Sequence, residues 1–171
     1  IGKGIAGALE ARGAAVRRHG LEVAGDTSIF DHDLTDREAG RRLARAALER
    51  GPIDILVLSA SVQIRREWNE VTTDELERQL RADLISSIEL IQELGPPMMD
   101  RGFGRILLIG SVQQRRPHPM MLAYSTAKAA QLHLATSLAP AFAARGVTIN
   151  NLAPGVINTP RNTEALADDA Y

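Results

Sequence analysis

The stretch that most constrains the fold is P-I-D-I-L-V-L at residues 52–58. Apart from Asp54 it is continuously apolar. That pattern suits a strand buried on both faces of a parallel sheet. Two further runs share this character: I-L-L-I at 106–109 and V-T-I-N-N-L at 147–152. Shorter candidates lie at 14–18, with His19-Gly20 turning, and at 28–34. A parallel pair needs a long crossover, so helices must lie between such strands.

The intervening segments have that character. Residues 1–13 read as a helix closed by Gly13, with Ile1, Ile5 and Leu9 on one face. Residues 37–50 form a polar-faced helix after a Thr35-Asp36 cap. Thr73-Asp74-Glu75 caps a helix to about Leu94, with Leu76, Leu80, Leu84, Ile88 and Ile91 as its buried stripe and Gly95-Pro96-Pro97 as its break. An alanine-rich helix runs from Tyr124 towards Gly146. Trp68, the only tryptophan, is expected to pack at a loop. The alternation predicts a single α/β domain: a doubly wound parallel sheet, Rossmann-like, in three α/β/α layers.

Composition narrows the function. The 171 residues are 44% hydrophobic, enough for one real core. A net charge of −1 gives no sign of nucleic-acid binding. With no cysteine, disulfides and thiolate chemistry are excluded. No apolar run reaches membrane-span length, and a cytoplasmic location is expected. Gly2-Lys3 is not a P-loop, because the upstream glycine and the following Ser/Thr are absent.

In open parallel sheets ligands gather at the carboxyl ends of the strands. Ser59, Ser111 and Pro154-Gly155 all fall at such ends. After Ser111 comes a loop with two prolines, then Tyr124 and Lys128. Their spacing of four puts both on one helix face. A free phenol titrates near 10, too high for proton exchange at neutrality. An ammonium about 6 Å away, at an effective dielectric of about 20, favours phenolate by roughly 3 kcal/mol. Tyr124 then becomes a usable general acid/base, with Ser111 fixing the same substrate oxygen. Y-x-x-x-K alone is common by chance, and the combination carries the argument.

With these motifs in place, the sequence resembles the short-chain dehydrogenase/reductase (SDR) family over nearly its whole length. Ile1-Gly2 is similar to the end of the family's T-G-x-x-x-G-I-G turn. Asp33-Leu34-Thr35 resembles its D-V-T segment, and residues 54–61 its D-I-L-V-N-N-A-G. Ser111, Tyr124 and Lys128 match the catalytic Ser and Y-x-x-x-K. Residues 151–155 with Thr159 resemble N-x-x-x-P-G-x-x-x-T. The resemblance implies Ser111, Tyr124 and Lys128 as catalytic residues, joined by Asp83 at the position of the family's helix asparagine. It implies a cofactor site at Ile1, Gly2, Asp33, Leu34, Ser59, Ala60, Tyr124, Lys128, Pro154, Gly155, Ile157 and Thr159. Ser111, Gln113 and Tyr124 would meet substrate, and no metal is expected.

Two departures stand out: L-S-A-S replaces N-N-A-G, and Asp83 replaces asparagine. Relative to the family, the domain over residues 1–171 is expected to lack its first strand and its C-terminal lid. Residues 13–33 are also short for a strand-helix-strand unit. An acid closing the second strand would favour NAD; Arg17-Arg18 stand there instead, so the cofactor is NADP or NAD, leaning to NADP. The implied reaction is hydride transfer between nicotinamide and a ketone or secondary alcohol, in a homo-oligomer, dimer or tetramer. Arg115 or Arg116 could favour an anionic substrate, although a surface role is the norm for arginine. A non-catalytic NAD(P)-binding regulator and a purely structural assembly protein remain alternatives.

Overall fold

The computed structural model describes residues 1–21 and 29–159. Among the described residues five strands and five α-helices follow in the order α1 Gly2–Glu10, β1 Arg18–Gly20, β2 Ile29–Asp31, α2 Ala39–Glu49, β3 Ile55–Leu58, α3 Thr73–Leu80, α4 Ser86–Asp100, β4 Gly104–Ile109, α5 Leu122–Ala143 and β5 Val147–Leu152. All strand pairing is parallel, and the strands form two sheets, β1-β2 and β3-β4-β5. This is the Rossmann-like α/β arrangement expected from the apolar runs. A cleft of about 1080 Å³ is lined by residues of both β1 and β3. Residues of β3 face it directly, and Ile55 is 43% exposed.

The core is one cluster. Leu43, Ala44 and Ala47 of α2 meet Leu90, Leu94 and Met98 of α4, and Ile106 and Leu108 of β4 join Val147 and Ile149 of β5. Close approach of α2 to α4 depends on Gly40. A Cβ there would lie 2.6 Å from the Ser86 carbonyl oxygen. In its place the Gly40 N–H donates to Glu89 Oε2 at 3.0 Å, satisfying a donor in the first turn of α2.

Several local expectations are corrected. The first short strand lies at Arg18–Gly20, so His19-Gly20 is strand rather than turn, and His19 Nε2 meets the His32 carbonyl at 2.6 Å. Asp33 Oδ1 accepts from the Thr35 N–H and hydroxyl, both at 2.8 Å, making an Asx turn instead of a helix cap. Helix α2 therefore starts later, after Glu38 in a left-handed conformation. Thr72 is the cap of α3, in a capping box with Glu75. Gly95-Pro96-Pro97 does not break α4, because the following Met98 is fully buried and fills the space beside Gly104. Trp68 is 67% exposed rather than packed. Part of the short 13–33 connection, residues 22–28, lies outside the described residues.

Between α3 and α4 the helix widens into a π turn, Arg81–Ile85. That turn rotates the buried face. Asp83, Ser86 and Ser87 point inward from it, as Gln79 does from the turn before; of the expected stripe Ile91 is buried, while Leu76, Leu80, Leu84 and Ile88 are only half-buried. An extra residue in one turn advances every later side chain around the axis, and such bulges recur at functional sites.

Candidate active site

Ser111 ends the segment after β4. Its Oγ accepts from the Gln113 N–H at 3.2 Å, while Gln114 Oε1 accepts from the Ser111 N–H at 3.3 Å. Gln114 Nε2 in turn donates to Asn151 Oδ1 at 3.0 Å. The Val112 N–H donates to the Pro154 carbonyl at 3.0 Å, tying this loop to the one after β5. Ser111 is thus held from both sides, and it is 8% exposed. Gln113 is also buried; its Oε1 accepts from the His118 N–H at 2.7 Å, which shapes the proline loop. His118 Nδ1 accepts from the Met120 N–H, as a loop residue does.

Tyr124 and Lys128 lie one turn apart in α5. Tyr124 is half-buried and Lys128 is 2% exposed. The Lys128 ammonium sits 5.6 Å from the centre of the Tyr124 ring. It donates to the Ile109 carbonyl and to Gln131 Oε1, each at 3.0 Å. Asp83 Oδ1 lies 2.9 Å from the same Nζ. Both groups are buried, so the contact pairs opposite charges with little screening. Gln79 Nε2 donates to Asp83 Oδ2 and, at 2.9 Å, to the Val62 carbonyl. Gln131 Nε2 donates to the Asp83 carbonyl at 2.6 Å and to Ser87 Oγ at 3.1 Å. Burial pushes the Asp83 carboxyl up, against the opposing pull of Lys128.

Ser111, Tyr124 and Lys128 line one cavity of about 490 Å³. Ile1, Gly2, Gln113, Pro154, Gly155, Ile157 and Thr159 line it too. Asp33, Leu34 and Ala60 line the larger cleft beside β1 and β3 instead. Gly2, Ser59 and Ser61 line both, so the two hollows meet at the carboxyl end of β3. There α1 begins. Ile1 supplies no side-chain cap, and a Cβ on Gly2 would come within 2.5 Å of Ser59 Oγ. The L-S-A-S turn thus packs its serine directly on the glycine backbone. Helix N-termini of this kind favour phosphate through their N–H groups and dipole.

The arginines behave otherwise than expected. Arg17 donates to the carbonyls of Ala47, Gly51, Pro52 and Arg50 at the end of α2. Orphan carbonyls at a helix C-terminus attract a guanidinium, and both terminal nitrogens of Arg17 donate there. Arg18 forms a forked pair with Glu10 at 2.6 and 2.7 Å. Arg116 lines the catalytic cavity; Arg115 does not. The residues missed in the sequence are Gln79 and Gln131. Each is a glutamine near a predicted motif, and only the fold turns it inward. Among the described residues no group of His, Cys, Asp and Glu could hold a metal ion, and no helix is long and apolar enough to cross a membrane.

The family model described as short chain dehydrogenase matches residues 2–170. The chain belongs to the short chain dehydrogenase family. An acetoacetyl-CoA reductase of Rhizobium meliloti is 31% identical, over 93% of this chain and 70% of that protein. An acetoacetyl-CoA reductase of Allochromatium vinosum is 32% identical, over 84% of this chain and 58% of its own length. The chain therefore spans only part of the length of these relatives. A crystal structure of a 3-oxoacyl (acyl-carrier-protein) reductase from Agrobacterium tumefaciens with NADP bound has a TM-score of 0.88 and 36% identity, covering 99% of this chain and 69% of that one. This short chain dehydrogenase thus shares its fold with a reductase.

Proposed function

We propose that this short chain dehydrogenase is an oxidoreductase that moves a hydride between NADP or NAD and a carbonyl or secondary alcohol. The shared lining of one cavity by Ser111, Tyr124 and Lys128 carries the reading. The residues fit a dinucleotide: the first turn of α1, whose Gly2 lines both hollows, suits a pyrophosphate, and the two joined hollows suit an elongated ligand. The cofactor, when bound, supplies or accepts the hydride. Pro154, Gly155, Ile157 and Thr159 would border its nicotinamide, and Asp33 and Leu34 its adenine. NADP is favoured by the NADP-bound reductase of Agrobacterium tumefaciens. Arg17 is hydrogen-bonded at the end of α2 and Arg18 is paired with Glu10, so a 2′-phosphate would have to displace Glu10 from Arg18.

In reduction Tyr124 gives its phenolic proton to the carbonyl oxygen, and Ser111 donates a hydrogen bond to that oxygen. Lys128 supports the phenolate that is left. Gln113 borders the substrate. The named relatives act on acetoacetyl-CoA and, in a Rhizobium meliloti protein 32% identical, on D-beta-hydroxybutyrate. A small ketone or alcohol is the corresponding substrate class here. We also place the protein in the cytoplasm, as a dimer or tetramer built on α4 and α5.

The test is a screen of ketones and alcohols against the full-length protein, followed by absorbance of the reduced nicotinamide. Turnover that disappears in Tyr124→Phe, with cofactor binding kept, supports the reading. Phenylalanine at that position with undiminished turnover overturns it. Cofactor binding without any turnover points to the regulatory alternative.

A further inference from the structure

We propose that Asp83 is a positioning residue that neutralises the Lys128 ammonium from beneath the site and so sets the pH at which Tyr124 exchanges its proton. The inference rests on Tyr124 as the proton donor of the proposed reaction.

An ammonium has three N–H donors and no acceptor. Lys128 directs it at the Ile109 carbonyl, Gln131 Oε1 and Asp83, all on the side away from solvent. The carboxylate is held in place rather than free to swing. Gln79 grips its other oxygen, and Gln131 ties the Asp83 backbone carbonyl to α5. The π turn at Arg81–Ile85 brings it there, so geometry and not chance contact forms the pair. Both partners are buried, and little water screens them.

The titratable groups facing the ammonium are Asp83 from the π turn and Tyr124 from the preceding turn of α5. The other facing groups, from α3, α4, α5 and β4, are neutral: Gln79, Ser87, Gln131 and the Ile109 carbonyl. Arg116 is the other charged residue lining the cavity among the described residues. A lone buried cation would favour phenolate strongly. A cation already matched by a carboxylate presents only a dipole, whose effect on the phenol is weaker. A neutral side chain at position 83 would leave the full charge of Lys128 to act on Tyr124.

Asp83→Asn in the full-length protein removes the charge and keeps the shape. Tyrosinate absorbance is titrated against pH, with Tyr124→Phe subtracted to remove every other tyrosine. The Tyr124 midpoint is expected to fall by about one pH unit in Asp83→Asn. The alkaline limb of kcat/KM for carbonyl reduction should move down with it. An unmoved midpoint overturns the inference, even if turnover is intact and the dehydrogenase reading stands. A moved midpoint with no turnover on any carbonyl supports the charge relationship while sinking the dehydrogenase reading. If Asp83→Asn does not fold, Asp83→Ser removes the same charge and is read by the same titration.

Discussion

Asp83 Oδ1 lies 2.9 Å from Lys128 Nζ, with the aspartate 0% and the lysine 2% exposed. A buried pair of this kind adds little net stability when intact, since desolvation offsets attraction. Broken on one side, it leaves an uncompensated buried charge. Lys128→Met is therefore expected to cost about 3–5 kcal/mol in urea unfolding. Asp83→Asn combined with Lys128→Met should recover most of that loss. Equal losses in the single and double variants would show that the charge on Asp83 is not what Lys128 compensates.

The same carboxyl gives the fold a pH dependence. Burial raises Asp83 from its ordinary value of 3.8, with Lys128 opposing. An acid that holds its proton more readily folded than unfolded contributes stability below 3.8. That contribution is lost as pH rises through the folded value. Urea unfolding from about pH 3.5 to about pH 7 should show wild type losing stability relative to Asp83→Asn as pH increases. A relative gain with pH would mean the carboxylate is stabilised in the fold.

Arg17 closes the end of α2 through hydrogen bonds to its carbonyls. Arg17→Ala should lower stability by about 2 kcal/mol, as for loss of a charged hydrogen-bond donor to backbone carbonyls. The ratio of NADP to NAD affinity should stay unchanged. A specific loss of NADP affinity at unchanged stability would restore Arg17 to the cofactor site.

Gly110 permits the packing that holds Ser111. A Cβ there would lie 2.6 Å from Asn151 Oδ1 and would also press on Gln114, the acceptor for the Ser111 N–H. Gly110→Ala should destabilise the fold by about 1–3 kcal/mol, the usual range for overpacking. It should also lower kcat by about tenfold or more through misplacement of the serine hydroxyl. Wild-type stability and kcat in this variant would show that the Gln114–Asn151 bridge does not position Ser111.

Strand β5, residues 147–152, emerged at its expected bounds, and β3 and β4 arose from the apolar runs that announced them. Ser111, Tyr124 and Lys128 were legible because a strand end and a four-residue helical spacing are local properties of the chain. The buried stripe of the helix from Thr73 onward was misread. Leucine periodicity assumes an even helical turn, whereas the π turn at 81–85 shifts the face beyond it and buries Asp83; of the expected stripe only Ile91 is buried. Arg17 and Arg18 lay in the right sequence region for a phosphate, yet the carbonyls at the end of α2 and the Glu10 carboxylate claimed them through space.

Taken by itself, the order of residues determined the parallel strands, their crossover helices and the placement of a hydroxyl, a phenol and an ammonium near one strand end. These depend on alternation and spacing along a few turns of chain. The tertiary structure alone decided that the ammonium would be matched by Asp83 and gripped by Gln131. Gln131 is a neighbour on α5, but Asp83 comes from another helix far away in sequence, and charge pairing in a buried site depends on how helices cross and rotate, which no local pattern records.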